Sequence, residues 1–186
     1  MADAAPADPV SPEAIRAREA ALYAELDRLG VAHRTQEHEA VFTVAQSAPI
    51  RARLPGGHAK TLLVEDRADL FLLAAPGQRR VDLKAAARAA SAGRLRFSSE
   101  ETLLATLGLR PGAVTPFALM HEAAGAIRAV VLDAGLMSCD PLWFHPLRNT
   151  ASTAISPDGL RRFCGAHARA VIEAAVTKDD PGVGAG

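Results

Sequence analysis

Apolar positions recur at helical spacing near the start of the chain. After Ser11-Pro12-Glu13, residues Ile15, Leu22, Leu26 and Leu29 fall on one face before Gly30. Serine is a good N-cap and proline suits the first helical position, so the pattern predicts a helix that stops at the glycine. Two apolar runs of strand length, Lys60 to Glu65 and Leu70 to Ala74, flank the polar Asp66-Arg67-Ala68-Asp69. This spacing predicts a hairpin with Lys60 at the very start of its first strand.

Val31 to Gln36, Leu95 to Phe97 and Ile127 to Asp133 predict three further short strands. The alanine-rich stretch from Asp82 to Ala92 ends at Gly93 and reads as a helix. Ser98-Ser99 ahead of Glu100-Glu101 caps another helix that stops at Leu107-Gly108, and Ser156-Pro157-Asp158 starts a last one. Thr43-Val44-Ala45-Gln46 has the form of a capping box, for a brief helix limited by Pro49 and the Pro55-Gly56-Gly57 turn.

Short strands in hairpins, interleaved with helices and lacking regular β-α-β alternation, predict an α+β fold with a mixed, largely antiparallel sheet and surrounding helices. Residues 11–176 are expected to form a single domain, between tails 1–10 and 177–186 that read as disordered. A chain of 186 residues, 49% hydrophobic and 23% charged, suits one globular core. No apolar run approaches the roughly 20 residues that cross a bilayer. The first ten residues carry aspartates and prolines instead of a signal sequence, so a soluble cytoplasmic protein without a membrane partner is expected.

Charge and cysteine content narrow the chemistry. Basic and acidic groups balance at 21 each, which argues against coating nucleic acid by bulk electrostatics. Locally the balance breaks: Arg79, Arg80, Lys84, Arg88, Arg94 and Arg96 are opposed only by Asp82. That patch reads equally well as a phosphate-facing surface or a solvated helix face. Cys139 and Cys164 lie far apart without a C-x-x-C pattern, so both read as small apolar residues.

Lys60 follows two glycines, but Ala59 and Leu54 stand where a P-loop needs glycine, so nucleotide hydrolysis is excluded. Six histidines show no H-E-x-x-H and no paired zinc spacing. Cys164 and His167 form a lone pair on an expected helix that core packing explains better than a metal. There is no G-x-S-x-G elbow, while a Cys-His pair that meets only in space stays open. What remains is a set of loops combining backbone restraint with polar groups: Pro55 to Lys60, Gly112 to Pro116, and Trp143 to Asn149. Such loops suit a pocket on a rigid scaffold.

In order along the chain, "EHEAVFTVAQS", "PGGHAKTLLVED", "VDLK", "LRFSSEETLLATLGLRPGAVTPF" and "FHPLRNTASTAIS" resemble the YbaK-like family of aminoacyl-tRNA editing domains. The family includes the insertion domain of bacterial prolyl-tRNA synthetase and free-standing relatives. The likeness runs from about Val31 to Phe163. It implies the fold of those domains, no cofactor and no metal. It also implies a trans-editing hydrolase that cleaves the ester of mischarged tRNA(Pro), above all Ala-tRNA(Pro), with the tRNA acceptor end as partner and prolyl-tRNA synthetase as a second one.

By the same resemblance, Lys60 is the residue tied to deacylation. Gly57 and Thr61 would sit at the pocket, Gly112 and Pro116 in the loop that cradles the terminal adenosine and ester, and His145 in the amino-acid pocket wall with Asn149 nearby. Arg51, Arg53, Arg80 and Lys84 are the candidates for tRNA phosphates. Two positions depart from the family: Thr61 stands where asparagine is frequent, and His121-Glu122 where an Asn-Asp pair is. The first leaves serine, 2-aminobutyrate or cysteine open as the preferred amino acid. A non-catalytic module that binds tRNA or a synthetase is the reading from another class.

Overall fold

The computed structural model describes residues 10–40 and 48–178. The helices are α1 (Pro12–Arg28), α2 (Ala48–Arg53), α3 (Leu83–Ala89), α4 (Glu100–Leu107), α5 (Ala134–Met137) and α6 (Pro157–His167). The strands are β1 (His33–Glu37), β2 (Gly57–Glu65), β3 (Leu70–Pro76), β4 (Arg80–Val81), β5 (Arg96–Phe97), β6 (Ile127–Asp133), β7 (Leu142–Phe144), β8 (Ala151–Ile155), β9 (Val171–Ala174) and β10 (Thr177–Lys178). Two 3₁₀ helices, Pro116–Met120 and Glu122–Ala126, precede β6.

The main sheet runs β1-β8-β7-β2-β3-β6-β9, with β5 also paired to β2, while β4 and β10 form a separate ribbon. It is mixed and mostly antiparallel: β2 meets β7 in parallel, as do β3 with β6 and β6 with β9. The expected hairpin is there, with Lys60 opposite Ala75 and Glu65 opposite Leu70. Local capping explains the helix starts. Ser11 accepts from the Ala14 amide, Ser99 from Thr102 and Ser156 from Gly159.

Strand alternation divides the core between the two faces of the sheet. Leu63, Leu72, Ala74, Val130 and Leu132 pack on one side with Leu22 and Leu26 of α1, Leu107 of α4, and Leu160 and Phe163 of α6. Val64, Phe71, Leu73, Ala129 and Val131 face the other way, onto Ala86 of α3 with Ala90, Leu95 and Val176. Helix α3 therefore covers the second face over β2, β3, β6 and β9. The half formed by β1, β8, β7 and the start of β2 is left to other groups.

Several elements differ from expectation. β7 and β8 lie in a stretch that reads as loop, because Leu142–Phe144 is three residues long and Ala151–Ile155 is buried at every position, with no alternation to detect. β9 also lies in a segment without a strand signal. Thr177 and Lys178, at the start of the expected tail, pair with Val81 and Arg80. The capping box at 43–46 falls outside the described residues, and the helix found after it is α2.

Candidate functional site

Lys60 is placed by the parity of β2. Leu62 and Val64 belong to the second face, so Lys60 and His58 share it, while Ala59, Thr61 and Leu63 turn to the first. The Lys60 ammonium donates to the backbone oxygen of Arg79, in the turn after β3. That turn is tied back to the same strand by the Gly77 amide, which donates to the His58 oxygen at 2.8 Å.

The strand registers line up two rows of side chains on this face. In the first, Arg34 opposes Ala154, Ala154 opposes Trp143 and Trp143 opposes His58. Trp143 is the centre of a stack. The Arg34 guanidinium lies 5.1 Å from its ring centroid and the His58 ring 6.1 Å away, inclined by 14°. Its indole N–H donates to the Pro55 oxygen at 2.9 Å, which ties the chain entering β2 to the edge of the ring. In the second row Gln36 opposes Ser152 and Lys60 opposes Ala75. His145 directly follows Phe144, whose partner is Thr153, so the same register carries His145 between Ser152 and Lys60.

Carbonyl oxygens only accept, and this fixes the tautomers of three histidines. His145 donates from Nδ1 to the Ala151 oxygen at 2.8 Å, and His38 from Nδ1 to the Glu39 oxygen at 2.8 Å. His58 donates from Nε2 to the Leu54 oxygen at 2.7 Å. His38 in turn takes a hydrogen bond at Nε2 from the Ser152 hydroxyl, 2.9 Å away, and its ring lies 5.9 Å from that of His145. Burial pushes both His58 and His145 below the ordinary histidine range, and the neighbouring His38 adds to the effect. Both are thus neutral imidazoles at neutral pH.

A cavity of about 700 Å³ opens between the end of β1 and α2. Gln36, His38 and Arg53 supply polar groups to it, and Ala40, Ile50 and Leu54 apolar wall. That mixture is typical of sites for small organic groups.

Beneath the site, Arg148 locks the loop that carries His145. Its Nε and Nη2 donate to both Glu19 oxygens at 2.8 and 3.0 Å, and Nη1 and Nη2 to both Glu37 oxygens at 2.8 and 2.5 Å. Nη1 also donates to Thr150 Oγ1 at 2.8 Å, so every N–H of the guanidinium is used. The preceding Leu147 is buried with φ at 69°, a left-handed conformation that a branched residue adopts only when its surroundings impose it.

The expected site residues divide by location. The strand register sets Lys60 and His145 beside each other on the second face. Thr61 is buried on the first, opposite Ala74. Gly57 is required by packing of the chain on itself: a Cβ there would lie 2.7 Å from Cys139 Cβ, and its amide donates to the Pro141 oxygen at 2.8 Å. Gly112 has φ at 90°, and Pro116 is buried at the start of a 3₁₀ helix on the first face. This loop reaches the site indirectly, since Phe117 packs edge-on to Phe144 at 5.9 Å, one residue before His145. Asn149 is half-buried between Arg148 and Thr150. Arg51 and Arg53 belong to α2 beside the cavity, whereas Arg80 and Lys84 are exposed near α3.

His38, His58, Trp143, Ser152 and Arg148 are not among the site residues named individually from the sequence, although all five lie within the loops and motifs quoted there. His58 carried a further signal, its spacing of two from Lys60, which places both on one face of a strand.

The face that carries Lys60, His58 and His145 lies on an α+β sheet, with no metal cluster among the described residues. Residues 38–163 match the family model for the aminoacyl-tRNA editing domain, and the chain belongs to that family. Among relatives, it is 31% identical over 150 residues to prolyl-tRNA synthetase associated domain-containing protein 1 of Bos taurus, covering 77% of this chain and 86% of that one. It is 28% identical over 149 residues to the prolyl-tRNA editing protein ProX of Acetoanaerobium sticklandii, covering 79% and 90%. The fold also matches a solved structure described as a candidate trans-editing enzyme for prolyl tRNA synthetase. There the TM-score is 0.70 at 21% identity, over 92% of this chain and 99% of that one.

Proposed function

We propose that this chain is a free-standing deacylase that clears mischarged tRNA(Pro), with Ala-tRNA(Pro) as its substrate. The observation that carries the reading is Lys60, held in the first half of β2 on the same face as His58 and next in register to His145, in a member of the editing family. ProX is named as a prolyl-tRNA editing protein, which supports the choice of tRNA.

A synthetase built for proline gains only about 1 to 3 kcal/mol of discrimination per missing methylene, so alanine escapes a single sieve. A second pocket that admits alanine and excludes the pyrrolidine ring supplies the rest. The ester is already activated, so positioning and charge stabilisation suffice without a protein nucleophile. In this mechanism the Lys60 ammonium stabilises negative charge that develops near the ester, and the neighbouring ribose hydroxyl helps align the attacking water. Arg51 and Arg53, on α2 beside the cavity, are the candidates for acceptor-end phosphates, with Arg80 and Lys84 as a more distant pair. Prolyl-tRNA synthetase is the second proposed partner.

The test is single-turnover deacylation of tRNA(Pro) charged in parallel with alanine, serine, 2-aminobutyrate, cysteine and proline. Wild type is expected to release alanine fastest and spare proline, and Lys60→Ala to lose about 10² to 10³ in rate, as when one charge-stabilising donor is removed. Faster release of serine, 2-aminobutyrate or cysteine would move the specificity. Binding of tRNA with no cleavage of any ester would leave an accessory module instead.

A further inference from the structure

Hydrolysis needs a group that takes a proton from the attacking oxygen, and Lys60 as a cation only donates. On the site face three imidazoles carry a lone pair. That of His58 is on Nδ1 and that of His145 on Nε2, because carbonyls hold their other nitrogens. His38 differs in that both nitrogens are engaged in series. Nδ1–H is anchored on the Glu39 oxygen at 2.8 Å and Nε2 receives the Ser152 hydroxyl at 2.9 Å. A hydroxyl on an oriented imidazole is the arrangement that activates oxygen in acyl-transfer sites, with a backbone carbonyl here as the orienting group.

We propose that His38 and Ser152 form the proton-transfer pair of this site, His38 as general base and Ser152 as the relay between it and the attacking water. The proposal rests on the deacylase reading above. As water attacks the ester carbonyl, its proton passes to Ser152 Oγ while the serine proton passes to His38 Nε2. The tetrahedral intermediate then collapses with cleavage of the ester C–O bond. The proton returns from His38 through Ser152 to the departing ribose oxygen, leaving free amino acid and deacylated tRNA.

Placement supports the assignment. Ser152 occupies the same cross-strand row as Lys60, two strands away, which is roughly 10 Å at the usual strand spacing. His38 lines the cavity of about 700 Å³ beside α2. Its charged and titratable surroundings are Glu37 and Glu39 on its own segment, Arg53 across the cavity, and His145 and His58 from the neighbouring strands. Arg148, through Glu37, fixes the residue immediately before His38 and, through its own loop, His145.

The experiment is single-turnover cleavage of Ala-tRNA(Pro) across pH by wild type, Lys60→Ala, His38→Gln, Ser152→Ala and Ser152→Thr, with rapid-quench mass spectrometry of the protein. The expected result is a loss of about 10²-fold or more for His38→Gln and for Ser152→Ala, with unchanged half-saturation. The double variant should fall no further, because the two act as a unit. Ser152→Thr, which keeps the hydroxyl, should recover most of the rate. Wild-type rates in His38→Gln and Ser152→Ala would overturn the pair while leaving the deacylase reading intact. An acylated Ser152 would overturn the relay in favour of a nucleophile. A wild type that cleaves no ester would remove both this proposal and the function beneath it.

Discussion

Replacing Arg148 by methionine tests whether the loop bearing His145 is held from below. The guanidinium is 24% exposed and meets Glu19, which is 11% exposed, and Glu37, which is 69% exposed. The two halves of the contact therefore count differently. Breaking a buried ion pair costs about 3 to 5 kcal/mol, because the abandoned partner stays desolvated, whereas an exposed pair is worth about 0 to 1 kcal/mol. Glu19 keeps one other donor, the Tyr23 hydroxyl at 2.7 Å, so its loss falls below the full buried figure. A total of about 2 to 3 kcal/mol is expected for Arg148→Met. Urea melts of wild type, Arg148→Met, Glu19→Gln and the double variant would read it. Removing the charge of Glu19 should make the second substitution cheaper, with a coupling of about 1 to 3 kcal/mol. Additive effects within about 0.5 kcal/mol, or a loss under that size in Arg148→Met, would refute the reasoning.

Three further outcomes follow from other contacts in the structure. Gly56 has φ at 121° and a Cβ there would lie 2.3 Å from the Pro141 oxygen, so Gly56→Ala should lower the melting temperature by several degrees. Gly125→Ala, with nothing within 4 Å of the added Cβ, is the control, and equal melting of the two would sink the argument. Burial pushes the Cys164 thiol up to about 12, whereas Cys139 is half-buried, so iodoacetamide should label Cys139 first and Cys164 only on unfolding; equal labelling rates in the native protein would contradict this. Stability should fall in two steps on acidification. Below the ordinary histidine value near 6.5 the unfolded chain binds protons at His58 and His145 while the fold does not, so unfolding gains. Glu25, held at about 2 chiefly by the Arg28 hydrogen bond, contributes stability that is present above 4.5 and lost as pH falls towards 2. Urea midpoints that stay flat between pH 7 and 5 would exclude the histidine step.

How much of this was legible in the sequence depends on whether a signal is local. The α1 helix and the β2–β3 hairpin were legible because cap residues, periodicity and a polar turn sit within one window. Helix α4 was legible for the same reason, down to the left-handed Gly108 at its end. β8 was not, because Ala151-Ser152-Thr153-Ala154-Ile155 is small, polar and wholly buried, and a strand enclosed on both faces shows no alternation. Lys60 and His145 were reached through the family resemblance, whereas their neighbours were hidden by long-range register. His38 meets Ser152 across 114 positions of chain, and no spacing rule reaches that far.

The two-residue spacing of His58 and Lys60 carries an electrostatic consequence. Three histidines and an arginine beside a lysine would repel one another if all were charged, and such a face would cost stability. The structure avoids this at His58 and His145 by burying them, which outweighs the pull of their carbonyl acceptors towards the charged form. The positive charge is left with Lys60 and the arginines, while His58 and His145 contribute lone pairs. A surface of this kind offers acceptors for a substrate amine or hydroxyl next to a cation for a developing oxyanion, the two demands of an aminoacyl ester. Changing His58 to lysine would reverse the arrangement: it would put a second ammonium two residues from the first and take the stacked ring from Trp143. If the neutral face is what the chemistry uses, that variant should lose ester cleavage while keeping tRNA binding; retained cleavage would show that the imidazoles only pack.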